Sequence, residues 1–568
     1  MQTRRYRFRL GIITLTFTII LTLISIRLIY IQVFQHKRFV DLANNQHSVT
    51  IVFEPTRGAI LDRNMRKLAV DLKVDSVYAV SRDVDEKEKT ARKLAPILGK
   101  DKGFLYERLS RDKQFVWLAR KVTKEQAGKV SGLNLKGIHL IDERKRFYPN
   151  GSLASQTIGF CDIDSVGLEG LESHYNKYLR GRDGYRSIIR DAKSRELYAF
   201  EKEYVPPVNG YNLVLTIDQV IQHTAEKALK KAIKKHNAKA GVAVVMEPAT
   251  GDILALAVEP SYDINDFQNA TSDSRRNRAI TDYYEPGSVF KVVTASACLN
   301  EGVVSLEDNF FCENGAWYVA GHTLHDHRGH GNMTFREVIE KSSNIGTVKA
   351  AMKLGDKALY RYIRAYGFGT PTGIEFPGEI PGKVRPLSRW SRYSMTAVPM
   401  GQEIAATPIQ LTACIAAIAN DGVLMKPRLV SEIIDSKGEV IKEYKPIVKR
   451  RVISHETSVA LKEIMQGVVE RGTGKRARIT DYTSAGKTGT SQKVEPSGRY
   501  SHSKFIASFA GFAPADEPVV AICVMIDEPH PVYFGGSVSA PVFKEIAEAT
   551  LKYMEVEPKP KKTKESLG

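Results

Sequence analysis

Two residue types in "YYEPGSVFKVV" (Tyr283–Val293) can do chemistry together: Ser288, directly after Pro-Gly, and Lys291, three residues on. If Ser288 opens a helix, positions i and i+3 share a face, and the lysine amine lies near the serine hydroxyl. A serine hydroxyl is a poor nucleophile at neutral pH. A neighbouring lysine can take its proton if burial and nearby cations lower the amine pKa. The helix N-terminus would add backbone N–H groups for a developing oxyanion. Ser-x-x-Lys alone also fits a serine cap beside a solvated lysine, so this pair needs support from elsewhere in the chain.

Two further stretches supply it. "KSSN" carries Ser342 and Asn344 after a helical pattern, "TFREVIEK", where a connecting loop can reach a cleft. "SAGKTGTSQ" carries Lys487, Thr488, Gly489 and Thr490 after a turn signal and leads into a strand. On an edge strand these offer a cation, hydroxyls and a glycine that lets a ligand lie against the backbone.

The elements that must position these residues are legible from periodicity and punctuation. "VPPVNGYN" (Val205–Asn212) reads as a linker. After it, "LVLTID" reads as a short strand opening a new domain, followed by a helix from Gln219 to Lys235 capped by Asp218. Two apolar runs around "PATGD" form a β-hairpin, and "FIASFAGFAP" and "VVAICVMIDE" are later strands. Helical patterns fill the middle, in "SVFKVVTASACLN" and "TPIQLTACIAAIAND", and a last helix spans 540–554. Strands at both ends with helices between predict an α/β chain of the α+β kind, an antiparallel sheet flanked by helices. Before the linker, "VTIVF" and "SVYAV" read as strands, and Lys87–Leu98 and Lys124–Val130 as helices. The expected organisation is a tail at 1–9, a transmembrane signal anchor at 10–33, a mixed α/β domain at 48–208, a catalytic domain at 209–555 and a basic, disordered tail at 556–568.

The 568 residues exceed one hydrophobic core. Net charge is +19, from 83 Lys+Arg against 64 Asp+Glu, which favours an acidic partner. No zinc-finger, ribonucleoprotein or basic-zipper pattern occurs, so anionic lipid or an envelope polymer fits better than nucleic acid. Part of the excess charge serves only solubility. The five cysteines are widely spaced without C-x-x-C, against a disulfide framework or thiolate metal site. His322, His325, His327 and His330 in "GHTLHDHRGHG" fit no zinc spacing, and no metal is expected. Arg4, Arg5, Arg7 and Arg9 precede an apolar run broken only by Arg27. Roughly 20 residues cross a ~30 Å hydrocarbon core. The basic flank places the N-terminus in the cytoplasm and the rest outside. No small-x-small cleavage site follows, against a cleaved signal peptide.

The three motifs in this order match the set of the serine-active penicillin-binding enzymes and class A β-lactamases. Over nearly its whole length the chain resembles the class B penicillin-binding proteins, the D,D-transpeptidases of peptidoglycan synthesis. "RGAILDRN", "RFYPNGSLASQTIGF" and "GLEGLESHYNKYLRG" resemble the family's pedestal (penicillin-binding protein dimerisation) domain, which positions domains and does no chemistry. The resemblance implies roles. Ser288 attacks a D-Ala-D-Ala stem peptide, with Lys291 as the base, although the base is disputed among related enzymes. Ser342 relays a proton, and Asn344 holds substrate amide and orients Lys291. Lys487 adds positive field, and Thr488 and Thr490 bind the terminal carboxylate. Backbone N–H groups of Ser288 and Thr490 form the oxyanion hole. β-Lactams inhibit by acylating Ser288, and no cofactor is needed. The short pedestal, "YYEPGSVFK" and "VYFGGSVSAPVF" look most like the division-specific branch, the penicillin-binding protein 3 type. That branch implies a septal location in the inner membrane and as partners a polymerase of the shape, elongation, division and sporulation class with other divisome proteins. An elongation-specific transpeptidase, a D,D-carboxypeptidase, a β-lactamase and a non-enzymatic β-lactam sensor are the alternatives.

Overall fold

A computed structural model of the chain describes residues 2–39, 48–113, 115–189, 203–495 and 497–558. The chain divides into two units, Met1–Thr56 with Gly181–Asn209, and Arg57–Arg180 with Gly210–Gly568. The segment expected as one pedestal, 48–208, is therefore shared between them. The expected disordered tail falls, from 559 onward, outside the described residues.

In the first unit a helix covers Gln2–Ile29 and continues as a π-helical turn, Tyr30–Phe34. Its apolar stretch has a mean hydropathy of 2.3 and is long enough to cross a membrane. Four threonines interrupt the apolar lettering. The hydroxyls of Thr14, Thr16, Thr18 and Thr22 each donate to the carbonyl four residues back at 2.8 Å, so in a bilayer they would meet the hydrocarbon already satisfied. Strands Ser48–Phe53, Gly184–Ile189 and Glu203–Val205 form a small antiparallel sheet, in that order.

The second unit holds a five-stranded antiparallel sheet in the order 253–259, 240–246, 520–527, 500–513, 485–494. Strands Ala240–Met246 and Ile253–Glu259 are buried throughout because helices cover both faces. Side chains alternate across a strand. Val242, Val244 and Met246 accordingly join the core around the Pro408–Ala419 and Lys291–Asn300 helices. Ala243 and Val245 join the core under Gln219–Lys235 and Gly535–Tyr553. Pro408–Ala419 is apolar all round and buried at every position. Thr407 and Gln410 cap its start reciprocally, and Pro408 takes its first turn, where the missing N–H costs no bond. The expected Gln219–Lys235 helix forms as read, with the Asp218 carboxylate accepting from the N–H groups of Val220 and Ile221. The last helix begins at Gly535, earlier than expected, and carries Pro541 in its second turn.

Asn212–Leu215 does not open the catalytic sheet. It pairs parallel with Ile60–Leu61 and antiparallel with Val430–Ile434, inside a seven-stranded sheet that also holds Lys67–Ala79, Val116–Val122 and Ile138–Phe147. A strand read from its own letters carries no mark of which sheet it will join. The three pedestal-like segments meet at one buried ion cluster. Arg57 donates through Nε to Glu172 at 2.7 Å and to the carbonyls of Glu172 and Ser165, and Arg146 donates through Nε to Glu172 at 2.6 Å. Asp71 completes it, 3.3 Å from Arg146 and accepting the Arg57 N–H at 2.8 Å. Two cations face two anions there, so the cluster buries no net charge.

Candidate active site

The nucleophile segment makes a sharp entry. Gly287 has φ +53°, in the left-handed region that glycine tolerates, and its N–H donates to Gly401 O at 3.1 Å. Ser288 then lies in a 3-10 turn, Gly287–Phe290, and the α-helix proper starts at Lys291. The tighter turn replaces the α-helical start expected from the sequence. Val289 and Phe290 anchor it in the core, and Ser288 remains partly exposed.

Lys291 is fully buried. Its Nζ donates to Ser342 O at 2.7 Å, Asn344 Oδ1 at 2.7 Å and Ser342 Oγ at 3.2 Å. Among the described residues the Ser288 hydroxyl makes no hydrogen bond. The Ser-x-Asn segment thus fills the hydrogen-bonding capacity of the amine. Burial lowers the Lys291 amine to about 7, and Asp326 works against that shift.

The Ser-x-Asn turn follows helix Phe335–Glu340, with Ser342 at φ +62°. Ser343 caps the next helix, Asn344–Leu354, accepting from Gly346 N at 3.0 Å. Asp326 accepts from Ser343 Oγ at 2.6 Å, from Ile345 N at 3.1 Å and from the Asn344 N–H. The Asn344 amide donates to His325 O at 2.7 Å, which turns its Oδ1 toward Lys291.

Strand Ala485–Val494 is the edge of the five-stranded sheet. Lys487 is fully buried and donates to Ser342 Oγ at 2.8 Å. Burial, and then the neighbouring Lys291 charge, push its amine well below the usual lysine range. Thr488 Oγ1 lies 2.7 Å from Thr473 Oγ1, and Thr490 Oγ1 accepts from Gly535 N at 3.1 Å. Gly489 serves a contact within the protein. A Cβ there would sit 2.8 Å from Val289 Cγ2 and 2.9 Å from Pro286 O, so the bare Cα lets this strand press on the nucleophile turn. This is a packing role for the glycine beside the ligand approach expected of it.

Residues 241–548 match the family described as penicillin binding protein transpeptidase domain, and residues 52–215 match the penicillin-binding protein dimerisation domain. The chain is 36% identical over 561 residues to stage V sporulation protein D of Bacillus subtilis, covering 97% of this chain and 87% of that protein. It is 33% identical over 511 residues to peptidoglycan D,D-transpeptidase FtsI of Escherichia coli, covering 89% and 84%. Among solved structures, a peptidoglycan synthetase from Bifidobacterium adolescentis superposes with a TM-score of 0.74 at 29% identity, covering 91% of this chain and 98% of that one. Penicillin binding protein 3 of Mycobacterium tuberculosis complexed with aztreonam superposes with 0.71, also at 29% identity, covering 90% and 98%. The chain belongs to the class B penicillin-binding proteins.

In this penicillin-binding protein, Lys291, Ser342, Asn344 and Lys487 form one hydrogen-bonded set. Ser288 and Gly489 sit on the two elements that press together beside it. Sequence reasoning missed Asp326, masked by the histidines around it, and Thr473, in "ERGTGK". The histidines themselves do structural work: His322 packs on Tyr393 and His327 on Phe534.

Proposed function

We propose that this class B penicillin-binding protein crosslinks peptidoglycan stem peptides through an acyl-enzyme on Ser288. The observation that carries this reading is the shared contact of Ser342 Oγ with both Lys291 and Lys487. It supports a path for a proton from the Lys291 amine through Ser342 toward the leaving group. Ser288 Oγ attacks the carbonyl of the penultimate D-alanine, and its proton passes to the Lys291 amine, which burial has brought to about 7. Ser342 carries a proton to the amine of the departing D-alanine. Thr488 and Thr490 receive the terminal carboxylate, in the field of Lys487. Asn344 holds the donor amide, and the backbone N–H groups of Ser288 and Thr490 stabilise the oxyanion. The amine of a second stem peptide then attacks the ester carbon, displaces Ser288 Oγ and forms the crosslink. β-Lactams enter the same path and stop at the acyl-enzyme.

The domain arrangement that goes with this function is an anchor at 10–33, a pedestal at 48–208 and a catalytic domain at 209–555, with the N-terminus in the cytoplasm and the catalytic part outside. The role assigned is septal wall synthesis beside a polymerase of the shape, elongation, division and sporulation class. Similarity to FtsI supports the division role, and the sporulation relative supports a second, developmental one. Labelling with a fluorescent penicillin tests the chemistry. Wild type is expected to be labelled and Ser288→Ala not, and equal labelling would overturn the reading. A fluorescent fusion found along the side wall instead of at midcell would overturn the septal role.

A further inference from the structure

The two walls of the cleft are joined outside the catalytic set. Glu340 ends the helix that leads into the Ser-x-Asn turn, two residues before Ser342, and its side chain is 5% exposed. Arg471 follows the helix His455–Glu470 and grips Glu340 through two nitrogens on one edge of its guanidinium, Nη2 to Oε1 at 2.6 Å and Nε to Oε2 at 3.3 Å, while Nη1 donates to Glu470 at 3.3 Å. The surroundings are built around that carboxylate. A Cβ on Gly467 would collide with the Glu340 carboxylate, and one on Gly472 with the Glu340 carbonyl. From Arg471 the chain runs through Gly472 to Thr473, whose hydroxyl meets Thr488 on the opposite wall at 2.7 Å. One covalent segment therefore holds the Ser342 turn with its first residue and touches the Lys487–Thr488 strand with its third.

We propose that the Glu340–Arg471 ion pair is a positioning latch that fixes the Ser342 turn against the Lys487–Thr488 strand and so sets the rate of acylation at Ser288. This rests on the proposed role of Ser288 as nucleophile. Neither partner touches the reacting atoms; both act through Ser342, Lys487 and Thr488. A bidentate pair suits this task because the planar fork fixes angle as well as distance. Arg471 is more than half exposed, so replacing it removes the grip with little loss of packing.

The test uses the full-length chain and a fluorescent penicillin, and the concentration dependence of labelling resolves two steps, reversible binding and then acylation. Arg471→Met is expected to slow acylation between about 10- and 100-fold, as a small misplacement of positioned groups does, with reversible binding changed far less. Arg471→Lys keeps the charge without the fork and is expected to fall between it and wild type. Glu340→Gln combined with Arg471→Met should be no slower than the worse single variant, because one interaction is lost once. If Glu340→Gln fails to fold, the two Arg471 variants decide the matter. Wild-type rates in Arg471→Met overturn the latch, as do multiplicative losses in the double variant or a loss explained by a fallen unfolding midpoint. A wild-type chain that takes up no penicillin overturns the function reading and the latch with it.

Discussion

Lys487 Nζ lies 2.8 Å from Ser342 Oγ, the same oxygen that accepts from Lys291 at 3.2 Å. A hydroxyl has two acceptor lone pairs and one donor hydrogen. With both lone pairs taken by amines, the Ser342 proton is left to point elsewhere, which suits a relay to a leaving group. Ser342→Ala is expected to lower transpeptidation by about 10²–10⁴-fold, the range for general acid–base groups. The loss should be smaller for penicillin acylation, where the leaving nitrogen stays tethered. Comparing peptide turnover with penicillin labelling checks this, and equal losses would count against the relay.

The rate of acylation should rise with pH through about 7. Below that value Lys291 is protonated and cannot accept the Ser288 proton, and above it the free amine can. Asp326 favours the charged amine, so Asp326→Asn should move the half-maximal pH downward. Rapid-quench labelling from pH 5.5 to 9 measures both, and an upward move in the variant would refute the electrostatic role given to Asp326.

Gly489→Ala should damage the enzyme although only one methyl is added. The new carbon meets Val289, Pro286 O and Ser508 Oγ together; Val289 belongs to the nucleophile turn and Pro286 immediately precedes it. Overpacking of this kind costs about 1–3 kcal/mol. Urea unfolding reads the stability and penicillin labelling the displaced Ser288.

Glu172→Gln should destabilise the second unit by about 3–5 kcal/mol, because it leaves Arg57 and Arg146 buried without their shared counter-charge. Burial pushes the Glu172 carboxyl up, but Arg146 and Arg57 outweigh it and hold the pKa below the ordinary carboxylate range. The stabilisation is thus complete above that range and is lost as pH falls through the depressed value. The variant should lack this acid-sensitive part of its unfolding profile, which denaturant titrations at pH 7 and pH 3 would reveal.

The three motifs that meet at the cleft were legible in the sequence because each is a contiguous run of letters, and so was the helix capped by Asp218. The remainder depends on contacts between distant positions, which leave no periodic trace. Glu340 gives no sign in "REVIEKSSN" of meeting Arg471. Ser342 is an ordinary serine until its φ of +62° is seen. Gly489 reads as room for a ligand, and its further contact with Val289, two hundred residues earlier in the chain, leaves no mark beside it. Asn212–Leu215 follows a clear linker signal, yet its neighbours come from both sides of that linker.

That shared sheet sets a limit on dissection. A shortened chain starting at residue 209 would keep every reactive group but lose Ile60 and Leu61 from beside Leu213 and Val214. Leu213 and Leu215, both sealed from water in the intact protein, would then border an open, sticky edge ready to pair with another copy. Amputating the scaffold would therefore cost solubility before it cost reactivity.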